Sequence, residues 1–246
     1  FEKPLKVLRL YKDGEPLLNP RFVEMIKYAR ERKCCERIDT TTNGSLLNPG
    51  LNLKIIAAGL DRINISIEGV NSDQYSNFSG FHLDFDKLVH NIKHLYENRG
   101  KCEIIIKIPG DNLSREDQDK FYEIFGEIAD GVFIEHVMSC WPEFELKEVK
   151  VNQKFGIYGQ AIKEVLVCPY VFYSFSINSD GSVSLCFLDW SRKLIVGDAR
   201  IQSVKEIWNG KKLLEYQKMF LKKERGGHSI CGGCGQLTHG LPDDID

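Results

Sequence analysis

Apolar and polar positions in the first half of the chain switch repeatedly between two periods. Residues 5–11 (Leu-Lys-Val-Leu-Arg-Leu-Tyr) read as a strand. Asn19-Pro20 then opens a helix whose apolar positions 22, 23, 25, 26 and 29 follow the 3.6-residue repeat, with Pro at the first helical position. Residues 37–42 are β-prone and run into Asn43-Gly44; 53–58 form a short helical piece, and 63–67 (Ile-Asn-Ile-Ser-Ile) form a third strand. Phe85, Leu88, Val89, Ile92, Leu95 and Tyr96 mark one helix face, capped by Asp84 and stopped at Gly100. Ile104-Ile105-Ile106 lies in a fourth strand, apolar enough to be buried on both sides. Ser114 with Asp117 resembles a capping box and predicts a helix through 128, and 132–138 form a fifth strand. This alternation with short connections implies βαβ crossovers and an α/β fold with a parallel sheet. An open doubly wound sheet and a barrel segment share the pattern.

Beyond Cys140 the periodicity changes. Residues 141–159 mix Pro, Glu and Lys without a repeat and read as a linker. From Cys168 the pattern is a hairpin, 172–177 and 182–186, turned by Asn178-Ser179-Asp180-Gly181. A helical stretch over 203–221 carries a Ser203/Glu206 capping box. The last twenty residues are rich in Gly and Cys with almost no core material, a composition that usually needs a metal to hold it.

The 246 residues exceed one average domain, and 42% hydrophobic residues suffice for a sizeable core. A net charge of -2 gives no electrostatic reason to expect nucleic acid or an anionic membrane surface, and no apolar run approaches the ~20 residues that span a bilayer. Eight cysteines without an export signal favour a reducing compartment, the cytoplasm, where clustered thiols are metal ligands more often than disulfides.

Four of them stand out. Cys231-Gly232-Gly233-Cys234 is a tight C-x-x-C, a common half-site for zinc or an iron–sulfur cluster, and Cys168 and Cys186 flank the hairpin as a second pair. On donor chemistry alone four thiolates suit zinc and a cluster equally, with reduced free thiols as the bland reading. Cys34, Cys35 and Cys102 read as packing residues, and Cys140 is undecided.

The order of short motifs resembles the radical S-adenosylmethionine (SAM) enzymes. Asp13-Gly14-Glu15-Pro16 looks like that family's GGEP, with Asp13 in place of the first Gly. Thr42-Asn43-Gly44 looks like the TNG ending its third strand, and Ser66-Ile67-Glu68-Gly69 like its fourth-strand S-[LI]-[DE]-G. Lys107 falls where the family often sets a basic residue against the SAM carboxylate, and Val137 where the next strand borders the adenine. The resemblance thus implies SAM contacts by Gly14, Glu15, Pro16, Asn43, Ser66, Glu68, Lys107 and Val137. Cys168, then Gly181-x4-Cys186, and the 203–210 helix ending in Trp208-Asn209-Gly210 are similar to the SPASM and twitch auxiliary-cluster domains. No cysteine follows Cys234, which leaves four ligands (Cys168, Cys186, Cys231, Cys234) for one [4Fe–4S] cluster, as in the twitch subtype.

The resemblance implies a partial (β/α)6 TIM-like barrel lacking its first strand over 1–139. A linker over 140–166 and a small β-hairpin/helix iron–sulfur domain over 167–246 would follow. It further implies reductive cleavage of SAM to a 5′-deoxyadenosyl radical that abstracts hydrogen from a small-molecule or peptide substrate. The auxiliary cluster would accept an electron, and a donor such as flavodoxin or ferredoxin would supply reducing power. The family's C-x3-C-x2-C, which holds the SAM-cleaving [4Fe–4S] cluster, is absent from these residues and is expected ahead of Phe1. Without it these residues alone are expected to be inactive. Glu135 and His136 are candidate acid–base helpers, one of them pointing inward by strand alternation. Asp189-Trp190 beside Cys186 is a candidate support for the cluster, and Lys222-Lys223-Glu224-Arg225 reads as a solvated helix end. In a different class, the rival is a non-catalytic α/β interaction protein stapled by a four-cysteine zinc site.

Overall fold

The computed structural model describes residues 3–139, 154–243 and 245, in two compact units, Phe1–Glu135 and His136–Asp246. In the first, five strands form one parallel sheet: β1 (Leu5–Arg9), β2 (Cys35–Thr42), β3 (Arg62–Ser66), β4 (Glu103–Pro109) and β5 (Gly131–Glu135). Their spatial order is their order in the chain. A doubly wound sheet reverses direction at a switch point, whereas a barrel winds one way, so the order favours the barrel segment.

The connections carry α1 (Phe22–Glu31), α2 (Pro49–Ala58), α3 (Ser72–Ser79), α4 (Phe85–Glu97) and α5 (Arg115–Phe125). Side-chain oxygens of Asn48, Asn71, Asp84 and Ser114 cap the last four. At Ser114 the reciprocal half of the capping box is missing: the Asp117 carboxylate takes the Ser114 hydroxyl, one methylene too short to reach the backbone. Pro20 lies in the turn before α1 rather than at its first position, and α5 stops at Phe125, short of 128. Helix α3 has no expectation in the sequence reading, because Ser72–Ser79 buries only Tyr75.

Strand alternation divides the sheet into two chemically different faces. Ile38, Ile63, Ile65, Ile104, Ile106 and Ile108 belong to the core shared with Ile26, Ile55, Leu88, Ile92 and Phe121 of the helices. Burying each such side chain contributes ~1.5–3 kcal/mol. The other face carries charged rows beside Val7, Ile105 and Phe133. One cross-strand row aligns Arg9, Asp39, Arg62 and Glu103, alternating in sign, and the next rows bring up Asn64, Lys107 and Glu135. A face with these charged rows suits a polar ligand.

The second unit holds a three-stranded antiparallel sheet, β6 (Ser176–Ile177), β7 (Ser182–Ser184) and β8 (Ile195–Asp198), in that order. Only the first two strands are expected from sequence. The turn between them places Gly181 at φ +87, a left-handed conformation that glycine adopts without cost. The helical stretch after Ser203 is two helices, α6 (Val204–Trp208) and α7 (Lys211–Leu221), broken at Asn209-Gly210, and the Ser203/Glu206 capping box is complete. Short 3-10 turns at Arg225–Gly227 and Cys231–Gly233 lead into α8 (Gln236–His239). Val183, Leu185, Val196, Ile207, Leu213 and Phe220 form this unit's own core.

Candidate functional site

In the first unit the motif residues gather where parallel strands end. Gly14 sits at φ +79 in the turn after β1, and Glu15 caps the 3-10 turn Pro16–Leu18 through Leu17 N at 2.9 Å. The same carboxylate accepts the Thr42 hydroxyl at 2.6 Å and the Asn43 amide at 2.7 Å. Asn43 in turn holds Ser45, accepting its amide at 3.0 Å and its hydroxyl at 2.7 Å. Glu15 therefore joins the ends of β1 and β2, and Gly14 leaves open space where a side chain would stand.

Ser66 ends β3 in register with Lys107 on β4, and Glu68 follows two residues beyond the strand, within the electrostatic reach of Lys107. Lys107 Nζ lies 2.9 Å from Glu135 Oε2. Burial pushes the Glu68 carboxyl above its ordinary range, and the charge of Lys107 partly offsets that rise. Lys107 thus stands between two carboxylates.

Two expectations need correction here. β5 ends at Glu135, so His136 and Val137 lie beyond the sheet, in the second unit, and are not strand residues. The inward/outward choice between Glu135 and His136 therefore does not arise. The His136 amide donates to Ile157 O at 2.7 Å, and its ring stacks on Phe155 at 6.2 Å. Part of the expected linker is likewise structured: Phe155 bridges Ala161, and Ile157 N donates to His239 O at 2.8 Å.

In the second unit Cys168, Cys186, Cys231 and Cys234 line one cavity with Tyr170, Leu185, Leu188 and Asp189. Cys168 precedes a 3-10 turn (Pro169–Phe172), Cys186 follows β7, Cys231 opens the 3-10 turn Cys231–Gly233 and Cys234 closes it. Backbone amides point at three of the sulfurs: those of Tyr170 and Val171 at Cys168, that of Leu188 at Cys186 (3.4 Å), and those of Gln236 and Leu237 at Cys234. Burial, reinforced by the neighbouring sulfurs, pushes the Cys168 thiol up to about 11 and Cys231 up to about 12; Cys186 and Cys234 also rise. Such thiols ionise only against a strong positive charge such as bound metal.

Neighbouring polar groups brace this ring. Asp189, 3% exposed, accepts the amides of Lys193 and Leu194 at 2.9 and 3.0 Å and so shapes the loop after Cys186. His228 Nδ1 accepts the amides of Ile230 and Cys231 at 3.2 and 3.1 Å. Arg225, 8% exposed, donates to the carbonyls of Cys231 at 3.1 Å and Cys234 at 3.4 Å. The expectation of a solvated basic run fails at this residue. No local pattern marks it: α7 ends at Leu221, and the chain then turns back through Arg225–Gly227.

Donor type and supporting amides fit an iron–sulfur cluster. Single-ion zinc would draw the sulfurs to separations of roughly 3.8 Å, given bonds of about 2.3 Å in a tetrahedron. Among the described residues no three His, Cys, Asp or Glu side chains stand close enough to hold one ion. Cys35 and Cys102 belong to the first unit's core, while Cys140 lies outside the described residues. Among the described residues no helix is long and apolar enough to cross a membrane.

Comparison with known proteins gives a consistent result. The chain is 25% identical to the AdoMet-dependent heme synthase of Methanosarcina barkeri, over 98% of this chain and 80% of the relative. A probable GTP 3',8-cyclase of Saccharolobus solfataricus is 33% identical over 45% of this chain and 35% of its own. In fold the chain is similar to native anSMEcpe with bound AdoMet (TM-score 0.63, 14% identity, 99% of this chain and 80% of that one). It is also similar to BtrN in complex with AdoMet and 2-DOIA (TM-score 0.60, 16% identity, 97% and 76%). These neighbours make the five-stranded sheet a radical SAM partial barrel. Residues 3–121 match the radical SAM superfamily and 168–235 match SPASM, an iron–sulfur cluster-binding domain. The chain belongs to the radical SAM superfamily and carries a C-terminal SPASM domain.

Proposed function

We propose that the chain supplies the SAM-binding strands and a one-cluster auxiliary domain of a radical SAM oxidoreductase acting on a small polar metabolite or a peptide. The observation that carries this reading is the gathering of Cys168, Cys186, Cys231 and Cys234 around one cavity with amides directed at their sulfurs. The four thiolates would hold a [4Fe–4S] cluster, which supplies one-electron transfer. With all ligands drawn from the protein, accepting an electron is favoured over binding substrate directly.

In the first unit the turn at Gly14, with Glu15 locking it to Asn43, would present backbone to the methionyl amino group of SAM. Ser66, Glu68 and Lys107 would receive its carboxylate and ribose. Lys107 is already oriented by Glu135 and carries the charge a carboxylate needs. The polar row of Arg9, Asp39 and Arg62 supports a hydrophilic substrate, in keeping with the similarly folded anSMEcpe, solved with a Kp18Cys peptide, and BtrN, solved with 2-DOIA.

The test uses the complete protein, reduced with dithionite and supplied with SAM. Wild-type protein is expected to release 5′-deoxyadenosine, and Cys186→Ser is expected to keep that release while losing the auxiliary cluster's paramagnetic signal. A wild-type protein that binds one zinc and releases no 5′-deoxyadenosine returns the stapled interaction protein instead.

A further inference from the structure

Arg225 presents an electrostatic problem that its hydrogen bonds do not solve. The guanidinium is 8% exposed, and its partners are the carbonyls of Cys231 and Cys234. Carbonyl dipoles orient a cation but do not neutralise it, and no ion pair satisfies Arg225 among the described residues. Asp189 lines the cysteine cavity, where it accepts the Lys193 and Leu194 amides, and it forms no ion pair with Arg225. Burying an uncompensated charge costs several kcal/mol, so a buried cation implies a counter-charge. A source adjoins it in the ring of four cysteines, two of which offer Arg225 their carbonyls. Four thiolates around a [4Fe–4S] core carry a net negative charge, which becomes more negative on reduction.

We propose that Arg225 is the built-in counter-ion of the auxiliary iron–sulfur centre, fixing the Cys231–Cys234 knuckle and raising the centre's reduction potential. The inference rests on the cluster reading above. A fixed positive charge stabilises the reduced state more than the oxidised one, because the reduced state carries one more negative charge. Arg225 is thereby a positioning residue that makes the centre a better electron acceptor. A single nitrogen, Nη1, donates to the carbonyls of both ligands of the knuckle, a geometry that a lysine ammonium could also reproduce.

The experiment compares wild type, Arg225→Lys and Arg225→Gln as complete proteins after anaerobic reconstitution. Iron and sulfide are counted, and the midpoint is measured by potentiometric titration followed by electron paramagnetic resonance. Arg225→Gln keeps a donor but removes the charge. At the wild-type midpoint its ratio of reduced to oxidised centre should be at least tenfold lower, a shift of about 59 mV for one electron. Arg225→Lys should stay within threefold of wild type. Iron lost from Arg225→Gln but kept by Arg225→Lys supports the same conclusion by a different readout. An unchanged midpoint in Arg225→Gln, or equal loss of iron from both variants, overturns the proposal in favour of a role in shape alone. If the wild-type protein takes up no cluster, the functional reading itself has failed, and the proposal falls with it.

Discussion

Glu15 and Asn43, twenty-eight positions apart, meet where two strands end: the carboxylate accepts the Asn43 amide at 2.7 Å and the Thr42 hydroxyl at 2.6 Å. A single side chain thus fixes the spacing of two loops, each of which would offer backbone to the same cosubstrate. Glu15→Gln leaves one of these donors facing an NH2 group. It should lower stability by ~1–3 kcal/mol in urea titration and weaken SAM binding at least tenfold by calorimetry. Unchanged SAM affinity would separate the brace from the binding surface.

Lys107 faces Glu135 at 2.9 Å and also acts on Glu68. Replacing it by Met removes the cation that holds the buried Glu68 carboxyl down, so that group should titrate at higher pH in Lys107→Met. Carbon-13 NMR of the side-chain carboxyl measures this directly. The same variant should bind SAM at least tenfold more weakly, whereas Lys107→Arg should retain most of the affinity.

The two glycines of the knuckle are not equivalent. A Cβ on Gly232 would come within 3.0 Å of Gly226 O and 3.2 Å of Arg225 O, while one on Gly233 meets nothing within 4 Å. Gly232→Ala must therefore push the turn away from Arg225, at a cost of ~1–3 kcal/mol, and should reduce bound iron severalfold. Gly233→Ala should bind iron like wild type. Equal behaviour of the pair would contradict the packing described.

Two core thiols set a pH dependence at the alkaline end. Burial is the main cause raising Cys35 from 9.0 to about 11 and Cys102 from 9.0 to about 12. Their folded values lie above the unfolded one, so the unfolded chain loses these protons first. The stabilisation is intact below about 9 and is lost as pH rises toward about 12. Urea midpoints should fall across that window, and Cys102→Ala should flatten the slope even if it lowers stability overall.

Much of this architecture was legible in the chain because the first half is locally consistent. Ile63 and Ile65 alternate with Arg62 and Asn64, and Asp84 and Ser114 announce helix starts, so both period and punctuation agreed with the fold. What escaped reading lacked one or the other. Helix α3 buries one side chain and has no apolar stripe. β8 is four residues long, with Gly197 and Asp198 in it, and looks like a turn. The four cysteines were legible by spacing, but Arg225 was not. Its burial depends on a fold-back at two glycines that brings a charged helix end over the knuckle, a contact between segments that no local pattern records.

The central claim is that four thiolates share one cluster, and native mass spectrometry of the reconstituted complete protein tests it most directly. Wild type is compared with a variant in which Cys168, Cys186, Cys231 and Cys234 are all Ser. The account predicts that, beyond the substitutions themselves, the variant is lighter by one unit of four irons and four sulfides. A difference of a single zinc, or identical metal content in the two proteins, would contradict it.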